Sequence, residues 1–346
     1  MQRSRMRLTV KILVLFMVVL VGSLLYSTAE AQEKKYTLTM ATMYSPTSEM
    51  AKRNILPVIA EVKKRSQGRL EIKPYYAESL FKAKEEFDAI ATGKVDMLGL
   101  INTVFATGII PDWLSPFTPF LFDSYAHFDR AWNAGISDIW AAGGAKHNIV
   151  LLGNAPALAG LNYMYFSKKM PLLPDDMKGL KIRSFNVLLD TLIQDVGAAP
   201  VSMTVPDVYL AMQRGTADGF SSAILGGVEP FKLYEVSKFL NKVPIALGCP
   251  HFNAINKGSF DRLPKDLQVI LTEVNSERLW TFSRKELPSL EEEYLKKWQQ
   301  GGLKVHDPTS TELKAWRDKS KRGWSKFAEL AGETGRKQID IANKTR

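Results

Sequence analysis

The 346-residue chain contains one cysteine, Cys249, so no disulfide can form within it. Stability must come from a packed core, which a chain this long can build. The lone thiol follows the apolar run 245–247 and reads as buried packing rather than a nucleophile. Only four histidines occur, His127, His147, His251 and His306, and they lack metal-ligand spacing. P-loop, dinucleotide-binding, GxSxG and HExxH motifs are absent. Glu85-Glu86 and Glu291-Glu292-Glu293 fall on predicted helices, where neighbours point in different directions, so they are solvated faces rather than acid–base pairs. These absences argue against an enzyme and give no reason to expect a cofactor or metal. Charge is not concentrated either. The net charge is +10, but Lys63-Lys64-Arg65 is balanced by Glu61 and Glu71, and Lys319 to Arg322 lies in a charged C-terminal helix. No basic stripe is interleaved with aromatics, which sets nucleic acid aside as a partner. A mild positive field would still raise the encounter rate with anionic solutes.

The N-terminus is distinctive. Arg3, Arg5, Arg7 and Lys11 precede the fifteen-residue apolar run 12–26, and Ala29-Glu30-Ala31 supplies small residues at a cleavage site. These are the three parts of a secretory signal, which predicts export to the periplasm and cleavage near Ala31. The run is shorter than the roughly 20 residues of a spanning helix. An uncleaved N-terminal anchor is the alternative. No cysteine follows the run, so nothing supports a lipoprotein anchor. Residues 1–31 hold four basic residues and one acidic, so the remaining 315 residues keep a net charge of +7. That length suggests two lobes.

The pattern along the chain is α/β. Strands are predicted at 36–41, 70–75, 95–100 and 149–153, with helices at 49–66, 82–92, 125–134 and 137–146. Residues 179–222 compress strand, helix, strand, helix and strand into little over forty residues. In the helix at 186–196, Leu188, Leu189, Leu192, Ile193 and Val196 form one apolar face. Thr204 and Asp207 form a weak capping box before the next helix. Ala89-x3-Gly93-x2-Asp96 and Ala211-x3-Gly215-x2-Asp218 share a spacing, although helix C-caps alone explain both glycines. Residues 162–166 and 251–256 read as strands that cross between lobes. A long helix is predicted over 264–299 with a kink at Pro288, a short strand at 303–305 and a charged covering helix from 311 to about 342.

Arg183 stands where the first strand of 179–222 ends. Ligands of open α/β sheets bind outside the carboxyl ends of the strands, and a guanidinium there can hold a carboxylate with two prongs. An Arg at a strand end is also a common surface or salt-bridge residue. Asn186 is equally plausible as a ligand contact and as a helix cap. Tyr44, Trp113, Phe185 and Phe220 fall in loops or at strand ends, where several together can line a pocket.

Three groups of residues carry a resemblance: Gly179-Leu180-Lys181-Ile182-Arg183, then Gly197-Ala198-x-Pro200-x2-Met203, then Val208-Tyr209-x-Ala211-x-Gln213-x-Gly215-x2-Asp218-Gly219. Pro119-Phe120-Leu121-Phe122 adds a fourth. Together they resemble the extracytoplasmic solute receptors of tripartite ATP-independent periplasmic (TRAP) transporters, over nearly the whole chain from Tyr36 to past Gln299. The resemblance implies a two-lobed periplasmic-binding-protein-like fold with several interlobe crossovers and a long kinked hinge-spanning helix. Lobe 1 is expected mainly over 32–160, lobe 2 over 161–255, and helical segments packing across both over 256–346. It implies a receptor that closes over an organic anion and hands it to the small and large membrane subunits of a permease driven by an ion gradient. The family's carboxylate-binding arginine maps onto Arg183 and its asparagine ligand onto Asn186.

Two departures bear on the ligand. Many members follow Asp-Gly with Gln-Glu-Asn-Pro, whose Asn touches ligand; here the stretch is Phe220-Ser221-Ser222-Ala223, which makes Phe220 and Ser222 candidates for shaping the far end. Many also carry a second arginine where this chain has Asn162 and Tyr163. Both changes favour a ligand with one dominant carboxylate and a less polar body. The expected ligand-binding set is therefore Arg183, Asn186, Ser222, Phe220, Tyr44 and Tyr163. A ligand-sensing module for a membrane signalling protein is a competing reading, and a secreted enzyme a remote one.

Overall fold

The computed structural model describes residues 34–346. The expected signal segment and its cleavage site lie outside the described residues. Two sheets organise the chain. The first holds β1 (Tyr36–Ala41), β2 (Leu70–Tyr75), β3 (Met97–Asn102), β4 (Ile149–Ala157) and β10 (His251–Asn256), in the order β2-β1-β3-β10-β4. The second holds β5 (Leu161–Phe166), β6 (Lys181–Ser184), β7 (Ala199–Ser202), β8 (Gly219–Ser222), β9 (Phe239–Leu247) and β11 (Lys304–His306), in the order β11-β9-β5-β8-β6-β7. Each sheet mixes parallel pairs (β1 with β3; β6 with β7 and β8) and antiparallel ones (β10 with β3 and β4; β5 with β8 and β9). β10 belongs to the first sheet, so the chain leaves the second lobe before 251 rather than at 255.

The expected apolar face between 186 and 196 packs as predicted. Leu189, Leu192, Ile193 and Val196 join Met164, Phe166, Ile182, Val243 and Trp316 in the core of the second lobe. Burying each such side chain is worth about 1.5–3 kcal/mol. The repeated spacing around Gly93 and Gly215 has a structural meaning in both lobes. Both glycines adopt positive φ (73° and 72°), which a side chain would strain. The aspartate three residues on then anchors a parallel strand: Asp96 accepts from the Thr39 N–H at 2.8 Å, and Asp218 from the Lys181 N–H at 3.0 Å. The two lobes are thus stapled by the same device.

Three connections cross between the sheets. Residues 158–160 join β4 to β5, and residues 248–250 join β9 to β10. They run side by side, with the Gly248 N–H donating to the Gly160 carbonyl at 2.7 Å. The third is the long helical segment, Lys265–Thr281 and Leu287–Gln300, interrupted by a wide π-type turn at Phe282–Glu286. The irregularity precedes Pro288, which occupies the first turn of the second segment, where a missing N–H costs little. This turn clings to the first crossover. Ser283 Oγ accepts from the Leu158 N–H at 2.8 Å, and Arg284 Nη1 donates to the Pro156 carbonyl at 3.1 Å.

The C-terminal helices Ser310–Lys319 and Lys321–Lys344 cover the molecule. The Trp316 indole donates to the Leu172 carbonyl at 2.8 Å in the second lobe, while Gln338 reaches the Asp112 carbonyl at 3.2 Å in the first. Among the described residues, no helix is long and apolar enough to cross a membrane.

Candidate functional site

Three strands end at one place. β3 runs into the 3-10 turn Thr103–Ala106, β6 ends at Arg183 and Ser184, and β8 ends at Ser222. Their carboxyl ends converge on a cavity of about 50 Å³ between the lobes. Val104, Phe105 and Phe117 wall it from the first lobe; Arg183, Phe185, Val205, Ser221 and Ser222 wall it from the second; Asn162 enters from the start of β5 and Cys249 from the second crossover.

Arg183 is 5% exposed. Its Nε donates to the Met203 carbonyl at 3.1 Å, Nη1 points at the Ser221 carbonyl at a long 3.5 Å, and the guanidinium carbon lies 4.9 Å from the Phe185 ring centre. Among the described residues no carboxylate is within ion-pair distance of it. Burial pulls its pKa down to about 9, opposed by the charge of Asp207. A buried cation held only by neutral carbonyls and a ring is costly, and such a site gains from an anion brought in from outside. The remaining guanidinium N–H groups are the donors a carboxylate needs.

Ser222, singled out from the sequence, lines this cavity. Asn186 does not. It caps the helix Val187–Asp195, its Oδ1 accepting from the N–H groups of Leu188 and Leu189 at 2.9 Å each. Its Nδ2 is buried without a hydrogen-bond partner. Phe220 is fully buried and stacks on Tyr165 with ring centres 5.0 Å apart, which holds it away from the cavity although it shares a face of β8 with Ser222. Alternation along β5 does the same to Tyr163: Asn162 faces the cavity, whereas burial and the nearby Glu291 and Asp307 push the Tyr163 phenol pKa upward on the other side. Tyr44 lines a different cavity, of about 230 Å³, between Ser45, Ser48 and Glu78 on the first lobe and Pro206, Pro230 and Phe231 on the second. Its hydroxyl lies 2.7 Å from His251 Nε2. Phe220, Tyr163, Tyr44 and Asn186 therefore stand outside the Arg183 cavity.

The structure adds lining residues that the expected set leaves out. Phe105 and Phe117 sit in the 3-10 segments Thr103–Ala106 and Pro111–Phe117, and no sequence signal singled them out. Cys249, expected as packing, is half-buried at the cavity wall, its Sγ 3.6 Å from Thr103 Oγ1 and its pKa pushed up to about 12 by burial. No cluster that could hold a metal ion occurs among the described residues.

Comparison with known proteins agrees with this architecture. The family profile of DctP, bacterial extracellular solute-binding protein, family 7, matches residues 41–330. A solute-binding protein of Albidiferax ferrireducens is 28% identical over 305 residues, spanning 83% of each chain. The C4-dicarboxylate-binding periplasmic protein DctP of Rhodobacter capsulatus is 25% identical over 264 residues, spanning 74% of this chain and 75% of its own. The crystal structure of a TRAP periplasmic solute-binding protein of Rhodoferax ferrireducens with bound malonate superposes with a TM-score of 0.80 at 26% identity, covering 89% of this chain and 98% of that one. A TRAP periplasmic protein of Roseobacter denitrificans with bound β-D-glucuronate gives a TM-score of 0.82 at 19% identity, over 90% of this chain and all of its own, a likeness of fold alone. The chain belongs to the bacterial extracellular solute-binding proteins, family 7, and is a two-lobed solute-binding receptor of the TRAP type.

Proposed function

We propose that this receptor, exported by its N-terminal signal, captures an organic anion whose carboxylate pairs with Arg183, and delivers it to a TRAP permease with small and large membrane subunits. It is a carrier rather than a catalyst. The observation that carries the reading is the buried Arg183 guanidinium, free of any described carboxylate and facing a cavity walled by both lobes. A ligand there touches both lobes only when they are closed, so binding shifts the population toward the closed form. The crossovers at 158–160 and 248–250 and the turn at Phe282–Glu286 are the hinge about which rigid lobes would move. The malonate, succinate and glucuronate held by structural neighbours fit the same carboxylate logic.

A thermal-shift screen of the mature protein against organic acids tests it. An acid at 100 times its dissociation constant adds about 2.7 kcal/mol of stability. Small-angle scattering with the best hit should then show compaction. A flat screen across mono- and dicarboxylates, or an unchanged radius of gyration at saturation, would count against the proposal.

A further inference from the structure

The cavity around Arg183 says more about its ligand than that it is an acid. Among the described residues that line it, Arg183 is the only charged one. The walls facing it are Val104, Phe105, Phe117, Phe185 and Val205. The polar groups left for the rest of a ligand are neutral: the Asn162 amide, whose Nδ2 already donates to the Leu247 carbonyl at 3.0 Å, and the Ser222 hydroxyl, 3.4 Å from the Ala223 carbonyl. The other charge acting on the arginine is that of Asp207, which is negative. A second carboxylate on the ligand would lose its hydration against phenyl rings and carbonyl oxygens, with no cation to receive it. The cavity is small, about 50 Å³.

We infer that the site takes a short monocarboxylic acid with an apolar body, bearing at most one neutral hydrogen-bonding oxygen, and rejects dicarboxylates and uronates. The inference rests on the proposal that Arg183 receives a carboxylate, and adds that it receives only one. Asn162 is a specificity-determining residue in this scheme: it gives the wall a neutral amide, already engaged by the Leu247 carbonyl, and no charge that could neutralise a second carboxylate. The apolar walls supply the remaining affinity, since burying apolar ligand surface against Phe105 and Phe117 is favourable only when that surface carries no charge.

Calorimetric titration of the mature protein at pH 7 with 3-methylbutanoate, 2-hydroxy-3-methylbutanoate, succinate, malonate and D-glucuronate tests this. At least one of the two monocarboxylates should bind at least about a hundredfold more tightly than all three others, a difference of about 2.7 kcal/mol. Phe105→Ser, at a half-buried wall position, should weaken that binding about tenfold and leave the preference for monocarboxylates intact. Succinate, malonate or glucuronate binding as tightly as the monocarboxylates, and losing that binding in Arg183→Ala, would overturn the ligand class while leaving the carboxylate-receptor reading standing. Binding of none of the five, or binding that Arg183→Ala leaves unchanged, would overturn the receptor reading and this inference with it.

Discussion

Glu291 sits where the hinge has to bend, and its protonation should be visible in the stability of the protein. It lies on the hinge helix Leu287–Gln300. Its Oε1 is buried without a hydrogen-bond partner and crowds against Gly160 of the first crossover. Its Oε2 accepts weakly from the Tyr125 hydroxyl at 3.4 Å, the Leu161 backbone also bonds the carboxyl, and the charge of Lys242 favours its ionised form. Tyr163, from β5, faces the same carboxyl. Burial dominates and pushes the Glu291 pKa from 4.5 up to about 7. A carboxyl that holds its proton more tightly when folded stabilises the fold at low pH. Its share is fully present below about pH 4.5 and is lost as the pH climbs to about 7. At roughly 1.4 kcal/mol per pH unit, the loss is about 2–3 kcal/mol. Glu86, only 3% exposed and pushed up to about 8 by burial and by Glu78, acts in the same direction. Urea unfolding at pH 5, 6, 7 and 8 of the wild type and Glu291→Gln isolates the first contribution. The amide adds a constant offset, so the informative quantity is the gap between the curves. It should move by about 2–3 kcal/mol in favour of the variant from pH 5 to pH 8. Parallel curves would refute the assignment. Opening the hinge would rehydrate the carboxylate, so ligand affinity should also fall with rising pH in the wild type and less so in the variant.

Two further outcomes follow from the same geometry. Gly160 has φ of 113°, and a Cβ there would strike the Glu291 carboxylate, so Gly160→Ala should cost about 2–4 kcal/mol and alter ligand affinity along with stability; unfolding and binding titrations check both. Asn186→Ala removes a helix cap and should cost about 1 kcal/mol in urea unfolding. Because Asn186 stands outside the cavity, that variant should keep ligand affinity within about threefold, under 1 kcal/mol, and a larger loss would restore Asn186 to the binding set.

Much of the framework was legible in the sequence. β1 and β2 lie where alternation puts them, because Leu38 and Met40, and Leu70 and Ile72, face a core at every second position; β10 also lies where it was expected, although all six of its residues are buried. β9 was not legible: Asn241, Lys242 and Pro244 break its alternation, although Asn241 is buried by its bond to the Pro171 carbonyl at 2.8 Å. β4 runs four residues beyond Gly153, whose φ of 99° bends the strand without ending it. The helix predicted from 82 begins at Glu86, because the Lys82 and Ala83 N–H groups are taken by the carboxylates of Glu85 and Glu78 in a preceding turn. At the site, Arg183 could be found because strand ends in such sheets face the ligand. Choosing between Asn162 and Tyr163 required the facing of β5, and choosing between Phe220 and Ser222, which share a face of β8, required knowing that only the end of that strand meets the cavity; a mixed sheet buried on both sides writes neither into its sequence.

The central claim is that Arg183 is a buried cation kept for a ligand's carboxylate. Calorimetric titration of the wild type, Arg183→Lys and Arg183→Ala with an acid found in the thermal-shift screen tests it most directly, with circular dichroism showing that the variants are folded. Lys keeps the charge but loses the planar fork, so binding should weaken. Ala should cost about 2–5 kcal/mol, because the ligand's charge is then buried unpaired. A folded Arg183→Ala protein that binds the acid as tightly as the wild type would contradict the account.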